Sequence, residues 1–171
     1  MRIDLAYNMI KTKRLLIRPF QLDDASFIVQ LVNTPSWLAF IGDRKVQSIA
    51  DAEQYLINGP FKSYEENGFG LSMIVLTDDT PIGMCGLIKR AELAYIDIGF
   101  ALLHEYEKKG YAFEAAQAVL LDANQRLHLY PIAAITLEEN SNSIQLLEKL
   151  GMVLENKIQY GSEELLLFKQ V

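Results

Sequence analysis

The segment Asp97–Gln117, reading DIGFALLHEYEKKGYAFEAAQ, limits the possible folds of this chain more than any other stretch. Its apolar run Ile98–Leu103 has the length and character of a strand. A short charged loop follows, ends in Gly110-Tyr111-Ala112, and opens at once into an alanine-rich helix. Ala112, Ala115, Ala116, Val119, Ala123 and Leu127 share one face of that helix, and side chains this small let it pack close to a sheet. A helix N-terminus presents unpaired N–H groups and the positive end of the dipole, and anionic phosphates bind there readily. Gly110, having no Cβ, lets the backbone come close to a ligand. The segment therefore predicts a pyrophosphate cradle between a strand and a helix.

The flanking sequence supplies the other layers. Arg14–Pro19 reads as a first strand and Leu22–Asn33 as a helix with Asp23 and Asp24 in its first turn. Pro35–Ile41 reads as a short helix, and Ser48-x-x-Asp51 as a capping box opening another. Gly59-Pro60 interrupts that helix or starts a second one. Phe69–Leu76 and Ile82–Lys89 form a predicted hairpin, and Ala94–Leu103 the next strand. A helix over Ala112–Leu127 is followed by a strand at Ile132–Leu137, a helix at Ser141–Leu150, and strands at Val153–Tyr160 and Leu165–Phe168. Such an order implies an α/β mixed sheet with helices on both faces, in one domain spanning residues 1–171.

Charge and cysteine usage exclude several function classes. A net charge of −6 argues against generic nucleic-acid binding, which leans on basic patches. No apolar run reaches the roughly 18–20 residues of a membrane helix, and residues 1–14 contain no continuous apolar core of a secretory signal. The lone Cys85 suits a reducing cytoplasm, and one cysteine with two histidines leaves no dedicated zinc site.

A second motif lies downstream. Leu137–Met152, LEENSNSIQLLEKLGM, places Asn140-x-x-Ser143 between a strand and a helix that runs to Lys149-Leu150-Gly151. With the Gly110 loop, and with Thr12-Lys13-Arg14-Leu15-Leu16-Ile17-Arg18-Pro19 near the start, the chain resembles the GNAT superfamily of acyl-CoA-dependent N-acetyltransferases. The closer likeness is to its ribosomal-protein N-terminal, or Rim-type, branch. The resemblance implies a GNAT-like fold: a central twisted mixed, mainly antiparallel sheet of about six to seven strands. It also implies direct transfer of an acetyl group from acetyl-CoA to an amine, either a protein N-terminus or a small molecule, by a monomer or a homodimer. The alternative is a catalytically weak domain of the same shape that binds acyl-CoA or a partner protein.

The chemistry needs the two reactants held in line, a base for the ammonium, and a stabilised leaving thiolate. For holding CoA the resemblance implies the backbone of Phe100, Ala101 and Leu102 beside the pantetheine arm. It gives the pyrophosphate to the loop Lys108, Lys109, Gly110, Tyr111 and Ala112, with Asn140 on the arm and Ser143 near the sulfur. Two residues depart from the family loop: Glu107 stands where Gln or Arg is usual, and Lys108 where Gly is common. Relatives that use a tyrosine as general acid carry it where this chain has Leu147, which leaves Ser143, or water held by it, as the substitute. Asp97 interrupts an apolar strand and is the candidate base. Each has an ordinary structural use as well. Asn140 and Ser143 fit a helix N-cap, and Asp97 fits a buried ion pair with an arginine. Cys85 reads as a buried small side chain. Gly42-Asp43-Arg44, Phe69-Gly70, Trp37, Phe40, Ile41 and Tyr64 are the candidates for the acceptor pocket.

Overall fold

The computed structural model describes residues 9–171, and residues 1–8 of the segment 1–14 read above for a secretory signal lie outside the described residues. Eight strands form one sheet in the order β1-β2-β3-β4-β5-β6-β8-β7. They are β1 (Ile10–Lys11), β2 (Leu15–Pro19), β3 (Leu71–Leu76), β4 (Pro81–Ile88), β5 (Asp97–Leu102), β6 (Ala133–Thr136), β7 (Val153–Tyr160) and β8 (Glu163–Lys169). All neighbours pair antiparallel except β5 and β6. The eighth strand, beyond the six to seven expected, is β1, whose two residues are too short to carry an alternation.

The helices divide between the faces. Those on one face are α1 (Ala25–Val32), α2 (Pro35–Phe40), α3 (Ile49–Leu56) and α4 (Lys62–Asn67); α5 (Tyr111–Gln125) lies on the other, and α6 (Ser141–Lys149) beside β6. Alternation along the strands feeds both cores. Met73, Val75 and Met84 pack under α1 to α4 while Ile74, Ile82 and Cys85 pack under α5. Ser48 and Asp51 form the expected capping box. Gly59-Pro60 does not break the chain's helical course; a five-residue π-helical stretch, Ile57–Phe61, carries α3 into α4. The first predicted helix opens instead as a 3₁₀ turn, Leu22–Asp24, where Asp24 takes both guanidinium arms of Arg18 at 2.8 and 2.9 Å.

Two differences from the sequence reading bear on the site. The strand expected from Ala94 starts at Asp97, because β4 ends opposite it at Ile88. The helix expected to reach Leu127 ends at Gln125, and Leu120 joins its buried face. Among the described residues no helix is long and apolar enough to cross a membrane.

Candidate active site

Strands β5 and β6 run side by side at only one register point, Asp97 opposite Ala133, sealed by Ala133 N–H donating to the Ile96 carbonyl at 2.9 Å. Beyond Asp97 the two strands diverge. The second edge of β5 from Ile98 to Leu102 therefore has no strand partner among the described residues. Backbone groups left unpaired on a strand edge are a template for an extended ligand. A cleft of about 550 Å³ opens there, with Gly99, Phe100, Ala101 and Leu102 on one wall and Ala134, Ile135 and Thr136 on the other.

At the far end of β5 the chain turns into α5 through two left-handed residues, Lys108 (φ 57°) and Gly110 (φ 83°). Glycine adopts this conformation without strain, which explains Gly110 as the residue before the helix. The turn is held from behind. Glu114, in the first turn of α5, accepts from Thr12 Oγ1 at 2.7 Å, from Arg14 N at 2.8 Å and from Arg14 Nε at 2.6 Å. Arg14 Nη1 in turn donates to the Lys109 carbonyl at 3.0 Å, and its guanidinium lies 4.4 Å from the centre of the Tyr111 ring. The Thr12–Pro19 motif thus has a local purpose: Thr12 and Arg14 clamp the loop onto the helix.

Of the predicted CoA-binding residues, Phe100, Ala101, Leu102, Lys108, Gly110, Ala112, Asn140 and Ser143 line this one cleft. Lys109 and Tyr111 do not. The Lys109 ammonium sits 5.8 Å from the Tyr106 ring, and Tyr111 packs against Arg14, so these two bring only backbone groups to the turn. Glu107 borders the cleft, but its carboxylate meets the exposed His104 at 3.3 Å. Asn140 caps α6, its side-chain oxygen accepting from Ser143 N at 3.2 Å. The cap use of this pair is present, and it holds Ser143 in place at the cleft wall. Leu147, fully buried, also borders the cleft.

Asp97 is 1% exposed and also borders the cleft. Its Oδ1 accepts from Arg90 Nε at 2.9 Å, while Oδ2 is buried with no hydrogen-bond partner among the described residues. Burial lifts the Asp97 pKa above the ordinary 3.8, against the pull of Arg90. Arg90 Nη1 reaches the Tyr160 hydroxyl at 3.3 Å, tying this corner to β7. The sequence suggested an arginine partner without naming it. Arg90 lies two residues past the end of β4, and only the β4–β5 register shows that it folds back onto Asp97.

The acceptor-pocket candidates separate. Trp37, Phe40, Ile41 and Arg44 line the cleft, together with Tyr55, which the sequence did not single out. Tyr64 does not: it is buried, its hydroxyl donating to the Leu71 carbonyl and accepting from Phe20 N, so it is a core strut. Phe69 and Gly70 border a separate small pocket of about 40 Å³ on the α5 face. Cys85 borders that pocket as well, fully buried, its thiol pushed up to about 12 by burial, which leaves it no part in covalent acyl transfer.

Comparison with known proteins identifies the family and the fold. The family model of the acetyltransferase (GNAT) domain matches residues 14–153. YnaD of Bacillus subtilis (strain 168), an uncharacterized N-acetyltransferase, is 31% identical over 143 residues, covering 84% of this chain and 81% of that protein. Among solved structures, an acetyltransferase from Agrobacterium tumefaciens superimposes with a TM-score of 0.84 at 21% identity, covering 100% of this chain and 98% of that one. RimL, a ribosomal-protein α-N acetyltransferase in complex with coenzyme A, does so with a TM-score of 0.81 at 14% identity, covering 96% and 98%. At such identities the two structures speak for the fold alone.

Proposed function

Because this chain belongs to the GNAT acetyltransferase family, we propose that it moves the acetyl group of acetyl-CoA directly to a primary amine. The observation that carries the proposal is the splay of β5 from β6, ending in a left-handed turn at a helix N-terminus. The unpaired edge of β5 suits the amide-bearing pantetheine arm. The amides of the Lys108–Ala112 turn, with the α5 dipole and Lys108, suit the pyrophosphate.

Transfer then needs little from the protein, since the thioester is already activated. The amine nitrogen bonds to the acetyl carbon, the carbon–sulfur bond breaks, and the sulfur leaves with its electron pair. Asp97 Oδ2 is the base we assign, directly or through one water, because it is the cleft's one carboxylate oxygen that is buried without a partner among the described residues. A buried carboxylate with a raised pKa is also a better base than an exposed one. Ser143, held by Asn140, is the group we assign to the departing sulfur, Leu147 having no proton to give. Residues 1–171 would act as one domain in the cytoplasm, as the lone buried Cys85 suggests. The sequence resemblance to the Rim-type branch, carried by the Thr12–Pro19 motif and the Gly110 loop, favours a protein N-terminus as acceptor.

Thiol release from acetyl-CoA, measured against a panel of amines, tests the reading. Turnover with at least one amine, falling by about 10²-fold or more in Asp97→Asn with acetyl-CoA affinity retained, is the expected result. Binding of acetyl-CoA with no thiol release for any amine would make this a binding domain instead.

A further inference from the structure

The cleft is basic although the chain is acidic. Arg44, Arg90, Lys108 and Lys149 line it against two carboxylates, Asp97 and Glu107, in a protein of net charge −6. Lys108 belongs to the turn before α5, where phosphates account for it. Arg90 and Arg44 lie elsewhere. Arg90 is bound to Asp97, at the start of β5. Six residues of strand separate that end from the turn, about 17 Å along β5. Arg44 lines the same cleft as Arg90, Asp97 and Tyr55, and both guanidiniums draw back the Tyr55 hydroxyl pKa that burial raises.

At this end the polar groups are unequally provided for. Arg44 is exposed and forms no ion pair among the described residues. The Trp37 indole N–H is buried with no acceptor among them, in a residue 4% exposed that borders the cleft. Against these donors stands one buried carboxylate oxygen without a partner among the described residues, Asp97 Oδ2. The neighbouring carboxylate, Asp43, is engaged by Lys45 at 2.7 Å and does not border the cleft. A polycation such as a polyamine or an aminoglycoside would meet two guanidiniums here and a single carboxylate.

Resting on the acetyl-transfer reading above, we propose that the acceptor amine carries a carboxylate a few bonds from its nitrogen, bound with the ammonium toward Asp97 and the carboxylate on Arg44. Guanidinium matches carboxylate geometry with two parallel donors, and such charge-assisted pairs are the stronger hydrogen bonds. Phe40 and Ile41, which line the same cleft, offer apolar surface to its carbon skeleton. The carboxylate has two sources, the α-carboxylate of a free amino acid or an acidic side chain near a peptide N-terminus.

Matched acceptors distinguish them. Thiol release from acetyl-CoA is compared for free amino acids against their amides, for peptides with Asp or Glu at the second and third positions against the Asn or Gln versions, and for spermidine. The carboxylate member of one pair should be preferred by about tenfold or more in kcat/KM, a preference that added salt weakens. The pair that shows it names the source. Arg44→Gln should abolish the preference while acetyl-CoA affinity, read by calorimetry, stays as in the wild type. Amides or spermidine serving as well as carboxylates would overturn the inference and leave acetyl transfer standing, as would a preference that survives Arg44→Gln. No thiol release with any amine would overturn both.

Discussion

Asp97 holds an ion pair with Arg90 and, in the reaction we propose, would also serve as base, two roles that the sequence set side by side. One oxygen answers Arg90, and the other is left without a partner among the described residues at the cleft. The pair has a consequence for pH. Burial raises the Asp97 pKa above 3.8. A carboxylate whose folded pKa is raised contributes stability that is full below the unfolded value and is lost as pH climbs through the folded one. Denaturation across that window should therefore show the wild type losing stability relative to Asp97→Asn as pH rises from below 3.8. If Asp97 is the base we propose, the same titration sets turnover: a base works only when deprotonated, so the acid limb of the kcat profile should lie above 3.8 and vanish in Asp97→Asn. An unshifted limb would remove Asp97 from the reaction. An acid in an apolar strand was visible from sequence as a residue needing a partner. Arg90 was not, because nothing local records how the chain folds back after β4.

Among the elements, the turn before α5 depends on a motif a hundred residues away. Arg14 and Thr12 hold Glu114, and Arg14 also holds the Lys109 carbonyl. Arg14 borders no part of the cleft, so it is a positioning residue. Arg14→Ala should weaken acetyl-CoA binding by a few-fold to about tenfold, the scale of one or two charge-assisted hydrogen bonds at a partly exposed site. Lysine at the same position keeps one bond at most and should restore only part of the affinity. Full affinity in Arg14→Ala would show that the turn needs no clamp. Strand, loop and helix were read correctly from apolar runs and Gly110, as was the capping box at Ser48. The clamp was missed since the side chains that form it look, in sequence, like ordinary surface charge.

Across the whole molecule, one failure of pairing makes the site: a sheet continuous from β1 to β7 that parts between β5 and β6 after one register point. The sheet elsewhere is packed too closely to yield. A Cβ on Gly83 would lie 2.2 Å from the Ala101 carbonyl oxygen, and one on Gly86 would lie 2.2 Å from that of Gly70. Gly83→Ala and Gly86→Ala should each cost about 1–3 kcal/mol in denaturant unfolding, and unchanged midpoints would mean the strands can shift freely. Strand identity was readable from alternation, and the mixed sheet from element order. The opening was not, because β5 and β6 are both apolar and nothing in either run says where pairing stops. The rest of the cleft lining was partly legible: Trp37 and Arg44 were candidates in the sequence and do line it, Tyr55 was not singled out, and Tyr64, of similar promise in sequence, turns into the core.

The central claim is that this opening and its turn hold acetyl-CoA, and calorimetric titration tests it most directly. The wild type should bind acetyl-CoA in about the micromolar range, −8 kcal/mol or so. Gly110→Leu, confirmed as folded by circular dichroism, should lose most of that affinity. Its Cβ would sit 3.2 Å from Arg14 Nη2 in a left-handed conformation that L side chains resist. No heat with the wild type, or unchanged affinity in folded Gly110→Leu, would contradict the account.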